Sequence, residues 1–251
     1  MTEVSSIVHS GVSSYVKEIY EVYKQTEGSS VVDDYMSRQP EINEESRAIL
    51  VDWLNKIHTH MSQLAQETFY LTINILDRFL AKETVKMNEI KLVGMAAMVV
   101  SCKYDEEEYP NAETFREAPG IENSSMENTF SQEQINAMEE KILLKLNWKL
   151  TVPTPYVFIV RCLRACSDGD SKMRSLIFYL SELSMAHYAT IKYSPSMLAA
   201  SAVYVARRML KPQCQWSKAL EVHSGYKKRQ LKYIPHPPLF LSCICLALAW
   251  Y

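Results

Sequence analysis

Residue types able to do covalent or metal chemistry are present, but not at working spacings. The six histidines, at positions 9, 58, 60, 187, 223 and 236, form no HExxH arrangement and no recognisable triad. The six cysteines, at 102, 162, 166, 214, 243 and 245, contain no CxxC pair and no cysteine–histidine group with zinc spacing. Cys162 and Cys166 could share a helix face, yet a metal needs more ligands than two. Reduced, mostly buried thiols of an intracellular protein are the expectation. No glycine-rich phosphate loop is present. The sequence therefore predicts no catalytic residue, no metal and no cofactor. Recognition remains.

The elements that would carry a recognition surface follow from apolar period. Residues 46–64 place Ile49, Leu50, Trp53, Leu54, Ile57, Met61 and Leu64 on one stripe at three-and-four spacing. Asn43 is a plausible cap, with Ser46 three residues later where an acid is usual, so an incomplete capping box is expected. Residues 66–82 repeat the stripe through Phe69, Ile73, Leu76 and Leu80. Residues 88–104 are apolar all round, as in a helix enclosed by its neighbours. Residues 132–147 are amphipathic through Ile135, Met138, Ile142 and Leu146. Pro153 and Pro155 then interrupt the chain.

The second half resembles the first. Residues 155–165 and 172–187 read as amphipathic helices, and 196–210 as a second helix apolar on every side. Ala96-Ala97 and Ala199-Ala200 lie 103 residues apart. Two helical bundles, each wrapped about a small-residue helix, account for the duplication. A single irregular helical domain would leave the proline-marked boundary unexplained. The predicted class is all-α. The expected units are an extension over 1–42 with a helix at about 12–26, bundles over 43–152 and 153–232, and a Pro/Leu-rich tail over 233–251.

Composition agrees. Of 251 residues 47% are hydrophobic and 22% charged, enough core for a folded chain. Six glycines against twelve methionines disfavour a turn-rich β fold. A net charge of −2 and a pI near 6.3 give no support to a nucleic-acid binder. Residues 1–11 lack a signal-peptide layout. The apolar run 239–251 is 13 residues long, short of the roughly 20 that span a bilayer. A protein partner is expected, with neither nucleic acid nor membrane.

Specific motifs add a family resemblance. Ser46-Arg-Ala-Ile-Leu-Val-Asp-Trp-Leu54 resembles the first-helix signature of the cyclin box. Tyr70 to Leu80, Leu92 to Glu107, and Gln134 to Trp148 are similar to later signatures of that box. Pro153 to Phe158 and Tyr193 to Ala202 are most like plant mitotic B-type cyclins. The resemblance covers about residues 15–232. It implies the cyclin fold, two tandem boxes of about five helices each, and a non-catalytic regulator of a cyclin-dependent protein kinase at the G2/M transition, in nucleus and cytoplasm.

The resemblance also implies roles for individual residues. Lys103 and Glu139 match the lysine–glutamate pair that grips a kinase helix, with Tyr104, Glu106 and Leu143 completing the contact. A lysine at a helix end offers three donors to partner carbonyls, and a nearby carboxylate orients it. Arg47 and Asp77 match a buried ion pair joining the first two helices. Ser46, Leu50 and Trp53 fall where the family forms a groove for Arg-x-Leu peptides of substrates or inhibitors. Ser46 replaces an apolar wall, Lys56 a common acid and Lys91 a common glutamine, so a weakened or re-targeted groove is expected. Arg161 and Arg174 match two of three positions of a basic phosphate pocket, whose third position holds Phe178.

Both ends depart from the family pattern. Residues 1–42 contain no destruction box of the kind the family usually carries ahead of the first box, and Arg47-x-x-Leu50 and Arg207-x-x-Leu210 fit the minimal degron string only inside predicted helices. After Leu231 three prolines within four positions exclude a helix interior, so the second box is expected to be incomplete. Two alternatives stand beside kinase activation. One is a kinase-binding but non-activating variant; the other is a cyclin-fold transcription factor.

Overall fold

The computed structural model describes residues 3–231, apart from 62, 109, 111–129, 166–169, 212 and 214–215. The tail over 233–251 and four of the cysteines lie outside the described residues. Helix α1 spans Glu3–Thr26, longer than the expected 12–26. Gly11 is carried within it, at a cost of about 1 kcal/mol against alanine, and no proline interrupts the run.

The first bundle contains α2 (Glu44–His60), α3 (Gln66–Leu80), α4 (Ile90–Asp105) and α5 (Gln132–Lys145). At the start of α2 the capping box is complete, contrary to the sequence expectation. Ser46 N donates to Asn43 Oδ1 at 2.8 Å, and Asn43 N donates to Ser46 Oγ at 2.9 Å. A serine hydroxyl accepts as an acid would, so no carboxylate is needed. Helix α5 opens on an equivalent box between Ser131 and Gln134.

Helix α4 is the centre of this bundle, packed by α2, α3 and α5. Ala96 and Ala97 are fully buried, and their small side chains let the flanking helices approach. Gly94 serves the same end: a Cβ there would stand 2.9 Å from Leu50 Cδ1. One residue of the α2 stripe is misassigned by period. Ile49 is 61% exposed, while Val51 takes a core position.

The second bundle contains α6 (Pro155–Ala165), α7 (Ser171–Ala186), α8 (Pro195–Leu210), α9 (Lys218–Ser224) and the short α10 (Lys228–Leu231). Helix α8 is its centre, with Ala199 and Ala200 fully buried. Gly225, at φ 79°, ends α9 in the left-handed conformation that glycine adopts without penalty. The described residues contain helices and no strand, and no described helix is long and apolar enough to cross a membrane.

Polar contacts fasten the halves together. Tyr188 Oη accepts from the backbone amides of Tyr35 (2.7 Å) and Met36 (2.8 Å) and donates to Asp34 Oδ1 (2.7 Å). Farther along, Glu27 Oε2 accepts from Ser196 N at 3.0 Å, which satisfies a free amide in the first turn of α8. Lys24 Nζ binds Glu27 Oε1 at 2.7 Å, Ser196 Oγ at 2.6 Å and Tyr226 Oη at 2.8 Å. The leading segment is thus pinned to the second bundle by a buried carboxylate.

Candidate functional site

Lys103 lies in the last turn of α4 and Glu139 in the middle of α5, two helices packed side by side. Their side chains meet, with Nζ to Oε2 at 2.6 Å. Exposure divides the pair: the lysine side chain is 41% exposed and the glutamate 8%. Glu139 Oε1 is buried and has no hydrogen-bond partner. The site therefore presents a fixed ammonium with spare donors beside a carboxylate oxygen with spare acceptor capacity.

A second charge cluster links α5 to the end of α3. Glu83, just after α3, binds Lys141 at 2.9 Å and Lys145 at 2.6 Å. Hydrogen bonds from Lys145 and Lys141 hold the Glu83 carboxyl below the usual carboxylate range. Lys82 Nζ also donates to the Lys145 carbonyl at 3.1 Å, answering a free acceptor at the end of α5.

Of the other residues expected at this contact, Tyr104 is exposed and its hydroxyl pairs with Thr151 Oγ1. Leu143 is half-buried against the core. Glu106 is differently occupied. Its Oε1 accepts from Ala65 N at 2.7 Å and from Thr68 Oγ1 at 2.5 Å. It thereby caps the start of α3, which lacks a capping side chain at Ala65. That role is internal, and 41 residues separate Glu106 from Ala65. Leu144, in the last turn of α5, and Trp148, just after it, are exposed apolar residues that sequence reasoning did not assign to any surface.

Arg47 and Asp77 meet inside the protein. Arg47 Nε donates to Asp77 Oδ1 at 2.6 Å and Nη2 to Oδ2 at 2.7 Å, with Arg47 only 1% exposed. Burial works against the guanidinium, but Asp77's charge and hydrogen bonds outweigh it, and the net displacement of its pKa is upward. Tyr35 Oη donates to Asp77 Oδ1 at 2.6 Å, and Arg47 Nη1 donates to the Ala186 carbonyl at 3.1 Å. The pair joins more than α2 and α3: it reaches the second bundle.

The expected docking groove is only partly a surface. Leu50 is 3% exposed and wedged on Gly94, so it belongs to the core and offers a ligand almost nothing. Ser46 is committed to the α2 cap. Trp53 is half-buried with its Nε1 unpartnered, and Lys91 Nζ stands 5.7 Å from its ring centroid. Lys56 pairs with Asp52 at 2.7 Å in an exposed (i, i+4) contact. Ile49, missed as a surface residue, lies exposed on the same helix.

Arg161 and Arg174 have separate aromatic neighbours. The Arg161 guanidinium lies 4.4 Å from the Tyr20 ring and Arg174 5.3 Å from Phe178. Phe178 is buried, so the third position of the expected phosphate pocket is a core residue. Both described cysteines, Cys102 and Cys162, are buried, and burial pushes the Cys102 thiol up to about 12. Among the described residues no group of three or more His, Cys, Asp or Glu is placed to hold a metal.

Two tandem all-helical bundles, each about a small-residue helix, with a lysine–glutamate pair where the last turn of α4 meets the middle of α5, match a known architecture. The chain belongs to the cyclin family: Cyclin, N-terminal domain matches residues 18–151 and Cyclin, C-terminal domain matches residues 153–235. Its relatives in sequence include plant mitotic cyclins. It is 47% identical to G2/mitotic-specific cyclin-1 of Antirrhinum majus over 220 residues, which is 88% of this chain and 45% of that protein. Against G2/mitotic-specific cyclin S13-7 of Glycine max the identity is 47% over 214 residues, 85% of this chain and 80% of the relative. Cyclin-B1-4 of Arabidopsis thaliana is 41% identical over 218 residues, 86% and 54% of the two chains. The chain thus spans about half the length of several relatives it matches. In fold it is similar to a viral cyclin from herpesvirus saimiri, with a TM-score of 0.66, 17% identity and coverage of 77% and 82%. A chain of the yeast RNA Pol II CTD kinase CTDK-1 complex gives a TM-score of 0.57 at 15% identity, covering 77% and 62%.

Proposed function

We propose that this chain is a regulatory, non-catalytic subunit that binds and activates a cyclin-dependent serine/threonine kinase at the G2/M transition. The observation that carries the reading is the Lys103–Glu139 pair, with a buried Glu139 oxygen left without a partner. The backbone where a kinase loop enters a helix offers the missing groups, loop carbonyls for the ammonium and a free first-turn amide for the carboxylate. Tyr104 supplies an exposed aromatic anchor beside them. Holding that helix inward stabilises the kinase's lysine–glutamate pair and so shifts its population toward the active state. The similarity to plant mitotic cyclins supports the timing.

Mixing the purified chain with a mitotic cyclin-dependent kinase and following histone phosphorylation tests the proposal. Binding with activity is expected, and replacing Lys103 and Glu139 together by alanine should abolish both. Binding without activity would favour a non-activating variant. Absence of binding, or binding that survives the double replacement, overturns the reading.

A further inference from the structure

Cations gather where the end of α3 meets the end of α5. Lys141 Nζ and Lys145 Nζ bind Glu83 at 2.9 and 2.6 Å. Lys82 Nζ donates to the Lys145 carbonyl at 3.1 Å, and Arg78 Nη2 donates to the Lys149 carbonyl at 2.8 Å. Lys82, Lys145 and Lys149 are exposed. Among the described ion pairs, Glu83 is the one carboxylate that these cations meet. Burial displaces the Arg78 pKa downward, as expected of a guanidinium held without a counter-charge.

The chain between Lys145 and Lys149 is a strained turn. Asn147 (φ 51°) and Trp148 (φ 59°) both take the left-handed conformation, which a residue as bulky as tryptophan rarely adopts. Hydrogen bonds fix the turn: Trp148 N donates to the Leu143 carbonyl at 2.9 Å and Lys149 N to the Leu146 carbonyl at 3.1 Å. Arg78 fastens its far end. The result is an indole turned to solvent, with Trp148 66% exposed and Leu144, in the last turn of α5, 58% exposed. An indole held outward at a cost in backbone strain adds little to the core, and such strain concentrates at functional sites.

An apolar anchor among cations suits a ligand with negative charge around a large apolar side chain. The cations have capacity left, since each ammonium carries three donors and a guanidinium five. A nucleic acid fits less well: its regular charge would run past the patch on a chain whose net charge is −2, and one indole stacks one base. We propose that Trp148 and Leu144, with Arg78, Lys82, Lys145 and Lys149, form a docking surface for an acidic protein segment. Its carboxylates lie against the cations and an aliphatic or aromatic side chain against the indole. The proposal goes beyond the kinase reading, does not rest on it, and is tested on the isolated chain.

The probe is a fluorescein-labelled peptide, Asp-Glu-Leu-Phe-Glu-Asp, titrated with the full chain by fluorescence polarisation. Its counterparts are the same peptide with every acid exchanged for its amide, and a labelled oligothymidine. The acidic peptide should bind saturably and more weakly as salt rises, with the amide peptide at least about tenfold weaker. Lys149→Gln should weaken the acidic peptide about threefold, Trp148→Ala about tenfold, and Trp148→Phe little. These replacements alter exposed side chains, and far-UV circular dichroism checks that each variant is folded. In the native chain labelled with 5-fluorotryptophan, the fluorine resonance of Trp148, assigned through Trp148→Phe, should move with the acidic peptide. Equal affinity for the acidic and amide peptides, tighter binding of oligothymidine, indifference to Trp148→Ala, or a Trp148 resonance that stays in place overturns the proposal.

Discussion

Arg47 clasps Asp77 through two parallel bonds of 2.6 and 2.7 Å in a site from which solvent is almost excluded. Bidentate pairing of this kind is strong, but its worth depends on both partners remaining. Arg47→Ala strands the Asp77 carboxylate beside Tyr35 and should cost about 3–5 kcal/mol in urea unfolding. Replacing both, as Arg47→Met with Asp77→Leu, should recover most of that loss. A single replacement with no effect on the midpoint would contradict the assignment.

Glu106 belongs to the stability of α3 more than to partner contact. Glu106→Ala removes bonds to Ala65 N and Thr68 Oγ1 and should destabilise the chain by about 1–2 kcal/mol. Its effect on kinase affinity should be smaller than that of Lys103→Ala. Calorimetry of the free chain and titration of the kinase separate the two. A large affinity loss with unchanged melting would reverse the ranking.

Asp105 makes stability depend on pH in a definite direction. Its folded carboxyl holds a proton up to about pH 6 against an ordinary value of 3.8. The folded state therefore binds more protons, so this group's contribution is full below about pH 4 and declines as pH rises through about 6. The neutral amide introduced by Asp105→Asn does not titrate. That variant should thus be more stable than the native chain at about pH 8, by about 1–2 kcal/mol after allowing for partial exposure. The gap should close by about pH 4. A gap that widens toward acid would invert the sign.

The groove expected beside Trp53 should bind Arg-x-Leu peptides weakly. Lys91 sits over the Trp53 ring, where a ligand's cation would be repelled, and Leu50 is withdrawn into the core. Lys91→Gln should raise peptide affinity by about three- to tenfold at low salt, with less gain at high salt. Fluorescence polarisation measures both. Ordinary micromolar affinity in the native chain would refute the weakening.

Much of the fold is legible because helical period and small-residue helices are local signals. The stripes of α2, α3 and α5 and the paired alanines of α4 and α8 carry it. The errors arise where long-range packing decides. Gly94 lets Leu50 sink inward, which periodicity on α2 alone does not reveal. Ser46 completes a cap that a search for an acid passes over. Glu106 reaches back 41 residues to α3, and Tyr35 and Tyr188 meet across 153. The charge properties of Asp105 come from burial, a quantity that no spacing encodes.

The guanidinium of Arg47 has one nitrogen left after Asp77 is satisfied, and that nitrogen grips the Ala186 carbonyl at the end of α7. The two bundles consequently share a bolt. Swinging one against the other must break a charge-assisted bond at a part-buried seam, a motion that belongs with local opening and not with fast side-chain motion. Force applied to either half is delivered to the other with little slack.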